Sequence, residues 1–431
     1  MKPRMLWVLL LFSALWGRPA AADNRFIVRA PSGLLSLQQV CLVLGCNVSV
    51  GLDGSLGKLF LVTTPDLIDP NVFLQTLRSQ AGISHAELDA LLKVMQAAAT
   101  TPPSGLSDNT PVPYFGVTVI HGYISQPAIS IIRLADTQTT FRVSGTGTVA
   151  VIDTGVDPTH PVLRSVLVPG YDFVHNIAGS ASELPDVHQS SIGSGASPAM
   201  VNQSSAAILD PASVFNFGQP QYVAFGHGTM VSGIVHLVAP TAQIMPLKAF
   251  KADGTGYLSD VLRAIYFAVQ NGARVINMSF SFSTYSHEVA TATKFATRHQ
   301  VICVASAGND GKEEVVYPAS LSGVMGIAST TNNDTLSTFS NYGEDLVWVA
   351  APGEGIITTY PFGTFGAGWG TSFSAPFVSG AAALLLTLNG NCNESCAERS
   401  LAHAVPISPD VGNGRVDLYQ AAGAPLPSAP N

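Results

Sequence analysis

From about residue 106 onward, strand-length apolar runs alternate with helix-length ones, and that alternation permits few folds. Strands are expected at Thr148–Ile152, Gln243–Lys248, Arg274–Ser279, Val301–Ala305 and Val324–Ala328. Helices are expected at Thr229–Val238, Ser259–Asn271, Glu288–His299 and Ser372–Leu388. The pattern predicts an α/β domain, a doubly wound and mostly parallel sheet, whose sites form at the carboxyl ends of strands.

Four short boxes sit at such ends or at helix starts. Val149–Asp157 is an apolar run closing on Asp153 and a glycine turn. Gly226–Gly233 opens an apolar helix with His227 near its start, and Val304–Gly311 ends a strand with Asn309 in a glycine-rich turn. Gly370-Thr371-Ser372-Phe373-Ser374-Ala375-Pro376 places Ser372 before the apolar run Phe377 to Leu388. A hydroxyl at the donor-rich start of a helix suits chemistry in which negative charge develops. Taken singly, an Asp before a glycine is a turn residue and a Ser before a helix is an N-cap.

Together the boxes resemble those of the subtilisin-like serine proteases, the subtilases. The order Asp153, His227, Asn309, Ser372 is that family's and differs from the Ser-Asp-His order of α/β-hydrolases, whose G-x-S-x-G elbow is absent here. The resemblance implies a serine endopeptidase that needs no cofactor. Ser372 would be the nucleophile, His227 its base, Asp153 the group that fixes the imidazole, and Asn309 an oxyanion donor. Ser374 is the nearest competitor to Ser372. A silent scaffold of the same fold and a non-peptide ester hydrolase are the alternative readings.

The N-terminus resembles a secretory signal over 1–22: Lys2 and Arg4, an apolar stretch from Leu6 to Trp16, then Ala20-Ala21-Ala22. Residues 23–100 follow the order β-α-β-β-α-β, with strands at 25–30, 47–51, 58–63 and 83–88 and helices at 34–44 and 71–80. That order is a ferredoxin-like signature. Subtilases commonly carry an inhibitory prodomain of this fold, so 23–100 is expected to be one, with the Pro-, Ser- and Thr-rich 101–113 as linker. The catalytic domain is expected over 114–425, interrupted at 175–222 by a Ser-, Ala-, Gly- and Asn-rich insertion lacking periodicity, read as a surface loop.

Composition narrows the partners. Charged residues make up 11% and the net charge is −8, against roughly 25% charged in an average soluble domain. No Lys/Arg cluster is present, which argues against a nucleic-acid partner. No membrane partner is expected for the mature form, a monomer acting on proteins or peptides and inhibited by its own prodomain. Of the 5 cysteines, Cys41 and Cys46, and Cys392 and Cys396, are close enough for local bridges. Cys303 reads as an inert buried thiol. His160, His236, Asp157 and Asp310 read as bracing or core residues.

Departures from the family bear on specificity and metal. Many subtilases have an acidic calcium ligand where Val162 stands, so no metal site is predicted there. Ser279, Phe280 and Ser281 are expected to pair with an extended substrate backbone. The family's usual Ser-Leu-Gly-Gly becomes Ser279-Phe280-Ser281-Phe282, and Val316 replaces a common pocket glycine. Both changes predict a shallow pocket for small or medium apolar P1 residues.

Overall fold

The computed structural model describes residues 24–65, 68–93, 102–187, 200–201, 207–209 and 222–425. The secretory segment of 1–22 lies outside them. The chain divides into two units, one of Met1–Gly51 with Gly57–Leu88, the other of Leu52–Leu56 with Asp89–Asn431.

The smaller unit is built from β1 (Asn24–Arg29), α1 (Leu34–Leu44), β2 (Asn47–Gly51), β3 (Leu59–Thr64), α2 (Pro70–Arg78) and β4 (His85–Leu88). Its antiparallel sheet runs β2-β3-β1-β4, the ferredoxin-like arrangement expected from the order of elements. Local chemistry sets the helix ends. Asp69 accepts from the N–H groups of Asn71 and Val72 at the start of α2, where Pro70 fits because the first turn needs no donor. Cys41 and Cys46 form a disulfide across the end of α1. Phe26, Val28, Leu37, Phe73 and Leu77 fill the core.

The long segment of the larger unit opens with Asp89 and β5 (Leu91–Lys93), residues that the sequence assigned to the prodomain. The expected linker is ordered over 102–113. Ser104–Ser107 forms a 3-10 turn with Leu106 buried, and β6 (Pro111–Tyr114) pairs with β7 (Val117–Ile120). Three short helices follow, α3 (His121–Ser125), α4 (Pro127–Ile131) and α5 (Leu134–Phe141).

Then come β8 (Thr148–Asp153), β9 (Gly170–Asp172), β10 (Ile177–Gly179), β11 (Met200–Val201), β12 (Ala207–Leu209) and α6 (His227–Val238). They are followed by β13 (Gln243–Lys248), β14 (Thr255–Tyr257), α7 (Leu258–Gln270), β15 (Val275–Met278), α8 (His287–Arg298), β16 (Ile302–Ser306) and β17 (Met325–Thr330). The chain closes with β18 (Val349–Pro352), β19 (Ile356–Tyr360), β20 (Thr364–Gly368), α9 (Thr371–Leu388), α10 (Glu394–Leu401) and α11 (Leu418–Gly423).

The main sheet has 8 strands in the order β10-β9-β13-β8-β15-β16-β17-β18. All its pairs are parallel except β10 with β9. Strands covered on both faces should be continuously apolar, and β15, β16 and β17 are buried at every position. Helices α6 and α9 pack against each other beside the sheet. Helix α9 is 18 residues long and apolar enough to cross a membrane, yet 89% of it is buried inside the protein, which identifies it as the core helix. A second disulfide joins Cys392 and Cys396, and Cys303 is free and buried.

Candidate active site

Asp153 is the last residue of β8 and His227 the first of α6. His227 Nδ1 lies 2.7 Å from Asp153 Oδ1, and both side chains are almost fully buried. The Thr154 N–H also donates to Asp153 Oδ1, at 2.7 Å, so the carboxylate is oriented by backbone as well as by the imidazole. The Phe373 ring packs edge-on against the imidazole, with centroids 5.6 Å apart. His227 Nε2 is buried and has no hydrogen-bond partner in the protein. A proton on the nitrogen held by Asp153 would leave the other nitrogen free to accept one.

Ser372 lies in the first turn of α9. Its hydroxyl donates to the Ser279 carbonyl at 3.1 Å, so passing a proton to His227 requires a turn about its Cα–Cβ bond. Pro376 lacks the N–H that would bond the Ser372 carbonyl inside the helix. The Ser279 hydroxyl takes that place, donating to the Ser372 carbonyl at 2.9 Å. The Asn277 amide then donates to the Ser279 hydroxyl at 2.9 Å, and Asn277 Oδ1 accepts from Ser379 at 2.8 Å. A buried polar chain thus locks α9, the helix that carries Ser372, to β15. No local pattern signals it, because Asn277 and Ser379 look like isolated polar residues in apolar runs.

Asn309 follows β16. Its Oδ1 accepts from the Thr371 N–H at 2.8 Å and from the Thr371 hydroxyl at 2.9 Å. That same hydroxyl accepts from the Gly308 N–H at 3.1 Å. The carboxamide is held by its oxygen, with its NH₂ turned away from Thr371 as the donor end. Thr371 is therefore an orienting residue that motif reading passed over.

The expected substrate segment is buried: Ser279, Phe280, Ser281 and Val316 all lie below a tenth exposed. Phe280 turns into the core, with its ring centroid 4.9 Å from that of Phe250. Phe282 and Tyr317 exchange both backbone hydrogen bonds, each 2.8 Å, tying the substrate segment to the loop that carries Val316. Gly308, at φ 96°, needs to be glycine, and a Cβ there would stand 2.5 Å from the Asn341 Nδ2.

The remaining expected residues divide as follows. Ser374 donates to the Pro352 carbonyl, away from His227. Asp157 braces a loop, accepting from the Thr159 and Phe362 N–H groups. His160 bonds the Thr364 carbonyl, and burial holds it below its ordinary value. His236 packs by Tyr123, and burial pushes it down to about 4. Val162 sits in the core. Among the described residues no group of three or more His, Cys, Asp or Glu is placed to hold a metal ion. The insertion differs from expectation. Where it is described, Ala181 and Glu183 are buried rather than on a surface loop.

Residues 145–423 match the family model of the subtilases, peptidase family S8. The chain belongs to the subtilase family. This subtilase is 32% identical over 253 residues to the thermophilic serine proteinase of Bacillus sp. strain AK1, spanning 56% of this chain and 53% of that one. It is 31% identical over 285 residues to thermitase of Thermoactinomyces vulgaris, spanning 63% of this chain and 87% of thermitase. The chain therefore covers about half the length of the first relative and most of the second. In fold it resembles fervidolysin from Fervidobacterium pennivorans, with a TM-score of 0.70 at 22% identity over 95% of this chain and 62% of that one.

Proposed function

We propose that this subtilase is a secreted serine endopeptidase made as a zymogen. The observation that carries the reading is the buried 2.7 Å bond between Asp153 and His227, with the Nε2 of His227 left without a hydrogen-bond partner in the protein. Ser372 Oγ attacks the peptide carbonyl carbon as its proton passes to His227 Nε2. Asp153 holds the Nδ1 proton and offsets the imidazolium charge. The oxyanion is met by the Asn309 NH₂ and the Ser372 N–H. The imidazolium then protonates the departing amine, an acyl-enzyme remains on Ser372, and water activated by His227 releases it.

Residues 89–93 support the zymogen reading. Strand β5 pairs antiparallel with β14, as a peptide does when it adds a strand to a sheet edge. Leu92 is buried there, and Asp89 accepts from the N–H and the hydroxyl of Ser259, each at 2.8 Å, at the start of α7. A carboxylate at a helix N-terminus is a favourable, charge-assisted cap. On this reading 23–100 is the prodomain, and its residues 89–93 hold to β14 and the start of α7 until it is cut. The apolar segment 1–22 supports export. The burial of Ser281 and Val316 supports small or medium apolar P1 residues, which a peptide-library profile led by Phe, Tyr or Arg would contradict.

The test is direct. The processed protein labels with a fluorophosphonate probe and digests casein, and Ser372→Ala does neither. A wild-type chain that stays unlabelled after removal of 23–100 overturns the reading.

A further inference from the structure

Glu183 lies in the segment that the sequence set aside as an insertion, and it is fully buried beside the site. Both carboxyl oxygens are engaged. Oε2 accepts from the Gly226 N–H and the Thr154 hydroxyl, each at 2.9 Å. Oε1 accepts from the Thr229 N–H at 3.3 Å and, at closer range, from the Thr229 hydroxyl. These donors lie beside the machinery: Thr154 follows Asp153, Gly226 precedes His227, and Thr229 is in the first turn of α6.

The hydroxyls are committed in a consistent sense. Thr154 Oγ accepts from the Gly228 N–H at 2.9 Å, and Thr229 Oγ accepts from the Asp157 N–H at 2.8 Å. Each hydroxyl has a single proton, and in both cases it goes to Glu183. Only an acceptor at both oxygens satisfies all four donors. The segment itself is fastened by backbone, with Val156 N–H donating to the Ala181 carbonyl and Glu183 N–H to the Val156 carbonyl, each at 3.1 Å. Gly155, at φ 106°, permits that approach, since a Cβ there would stand 2.5 Å from the Ala181 oxygen. Lys248, also buried, donates to the Thr154 carbonyl and pairs with Asp186, both at 2.6 Å.

We propose that Glu183 is a positioning residue for peptide hydrolysis, tying the end of β8 to the start of α6 so that His227 meets Asp153 and faces Ser372 in one geometry. It bonds neither Asp153 nor His227 and acts through the backbone on either side of them. Burial pushes its carboxyl up to about 7 even with those donors in place. The fold therefore keeps a group that is unfavourable to bury, and it keeps it at the joint between acid and base. Helix N-termini favour such an anion, and a shift of about 1 Å in a catalytic group lowers turnover on the order of 10²-fold.

The proposal rests on the protease reading, and one experiment separates the two. Steady-state kinetics on a peptide substrate, with fluorophosphonate labelling, are measured for wild type, Glu183→Ala and Glu183→Gln. Glu183→Ala is expected to lower kcat by about 10²-fold with KM within about two-fold. Glu183→Gln keeps one acceptor oxygen but turns an NH₂ toward donors on the other side, so its kcat should fall about three- to ten-fold with KM unchanged. Should the alanine variant fail to fold, the glutamine variant decides. A kcat equal to wild type in whichever variant is folded, or a change in KM alone, overturns the positioning role and leaves the protease reading intact. Absence of labelling in wild type instead overturns the protease reading.

Discussion

The buried carboxyl of Glu183 predicts a pH-dependent stability that one substitution should remove. Its ordinary value of 4.5 rises to about 7 in the fold, first because burial penalises the charged form and only then eased by bonds from Thr229, Thr154 and Gly226 and by the charge of Lys248. Between those pH values the folded protein holds a proton that the unfolded chain has lost. Stability therefore falls as pH rises from about 4.5 to about 7 and is level on either side. At about 1.4 kcal/mol per unit the fall is roughly 3 kcal/mol. Glu183→Gln has no proton to lose, so that part of the fall disappears. The half-buried pair Glu394 and Glu398, also raised, titrates alike in both proteins and cancels in the comparison.

The assay is thermal unfolding in a Ser372→Ala background, which prevents self-digestion, at pH 4.5 and pH 8. At roughly 2 °C per kcal/mol for a domain of this size, the Glu183 protein should lose about 6 °C relative to Glu183→Gln across that range. Midpoints that move in parallel, within about 1 °C, would refute the assignment of a desolvated, ionising carboxyl at this joint.

Other consequences concern separate parts of the site. Thr371→Val removes the hydroxyl that holds Asn309 Oδ1 but keeps the shape, so kcat should fall by about five- to ten-fold with KM unchanged, against the roughly 10²–10³-fold known in subtilisin for losing the donor itself; active-site-titrated kinetics check this. Val316→Gly should deepen the pocket and raise kcat/KM for Phe over Val at P1 by roughly 10- to 100-fold, read with paired chromogenic peptides. Asp89→Ala removes a charge-assisted cap on α7, so the unprocessed chain should label with fluorophosphonate about ten-fold faster. Equal labelling rates would argue against the role of residues 89–93 in inhibition.

Much of this architecture was legible because it rests on period and on end signals. The β-α-β-β-α-β order of the small unit follows from short apolar runs between glycine and polar turns, and α1 spans the expected 34–44. Asp153 appears at a strand end because the run before it is apolar and a glycine follows. What escaped reading is what has no period. Helices α3 and α4 are five residues each, too short for a 3.6-residue repeat to show. The linker looked unstructured by composition, yet β6 and β7 pair and Leu106 reaches the core. Glu183 is a single acid in a stretch of small residues, and its donors Gly226 and Thr229 lie more than 40 positions away in sequence. No local pattern encodes such a contact. Phe280 was expected along a substrate segment, and its side chain turns to Phe250 because an aromatic ring gains more from burial than from lining a pocket rim.

The polar residues around the site divide into two groups with different kinetic signatures. Asn277, Ser279 and Ser379 lock α9 to β15, Thr371 locks Asn309, and Glu183 locks α6 to β8. Each group is buried and its bonds run within the protein, so truncating one member leaves another desolvated. None of these side chains need touch the peptide, and substrate and transition state gain equally little from them in binding. Their loss disturbs the alignment of reacting atoms, and the effect belongs in kcat. Val316 and Ser281 form no such lock. On the proposed reading they flank the side chain of the substrate, and changes there are expected to alter which peptide is preferred. A variant of Glu183 or Thr371 that changed P1 preference while sparing kcat would show that the locks and the pocket are one coupled structure, and the division drawn from their hydrogen bonds would be wrong.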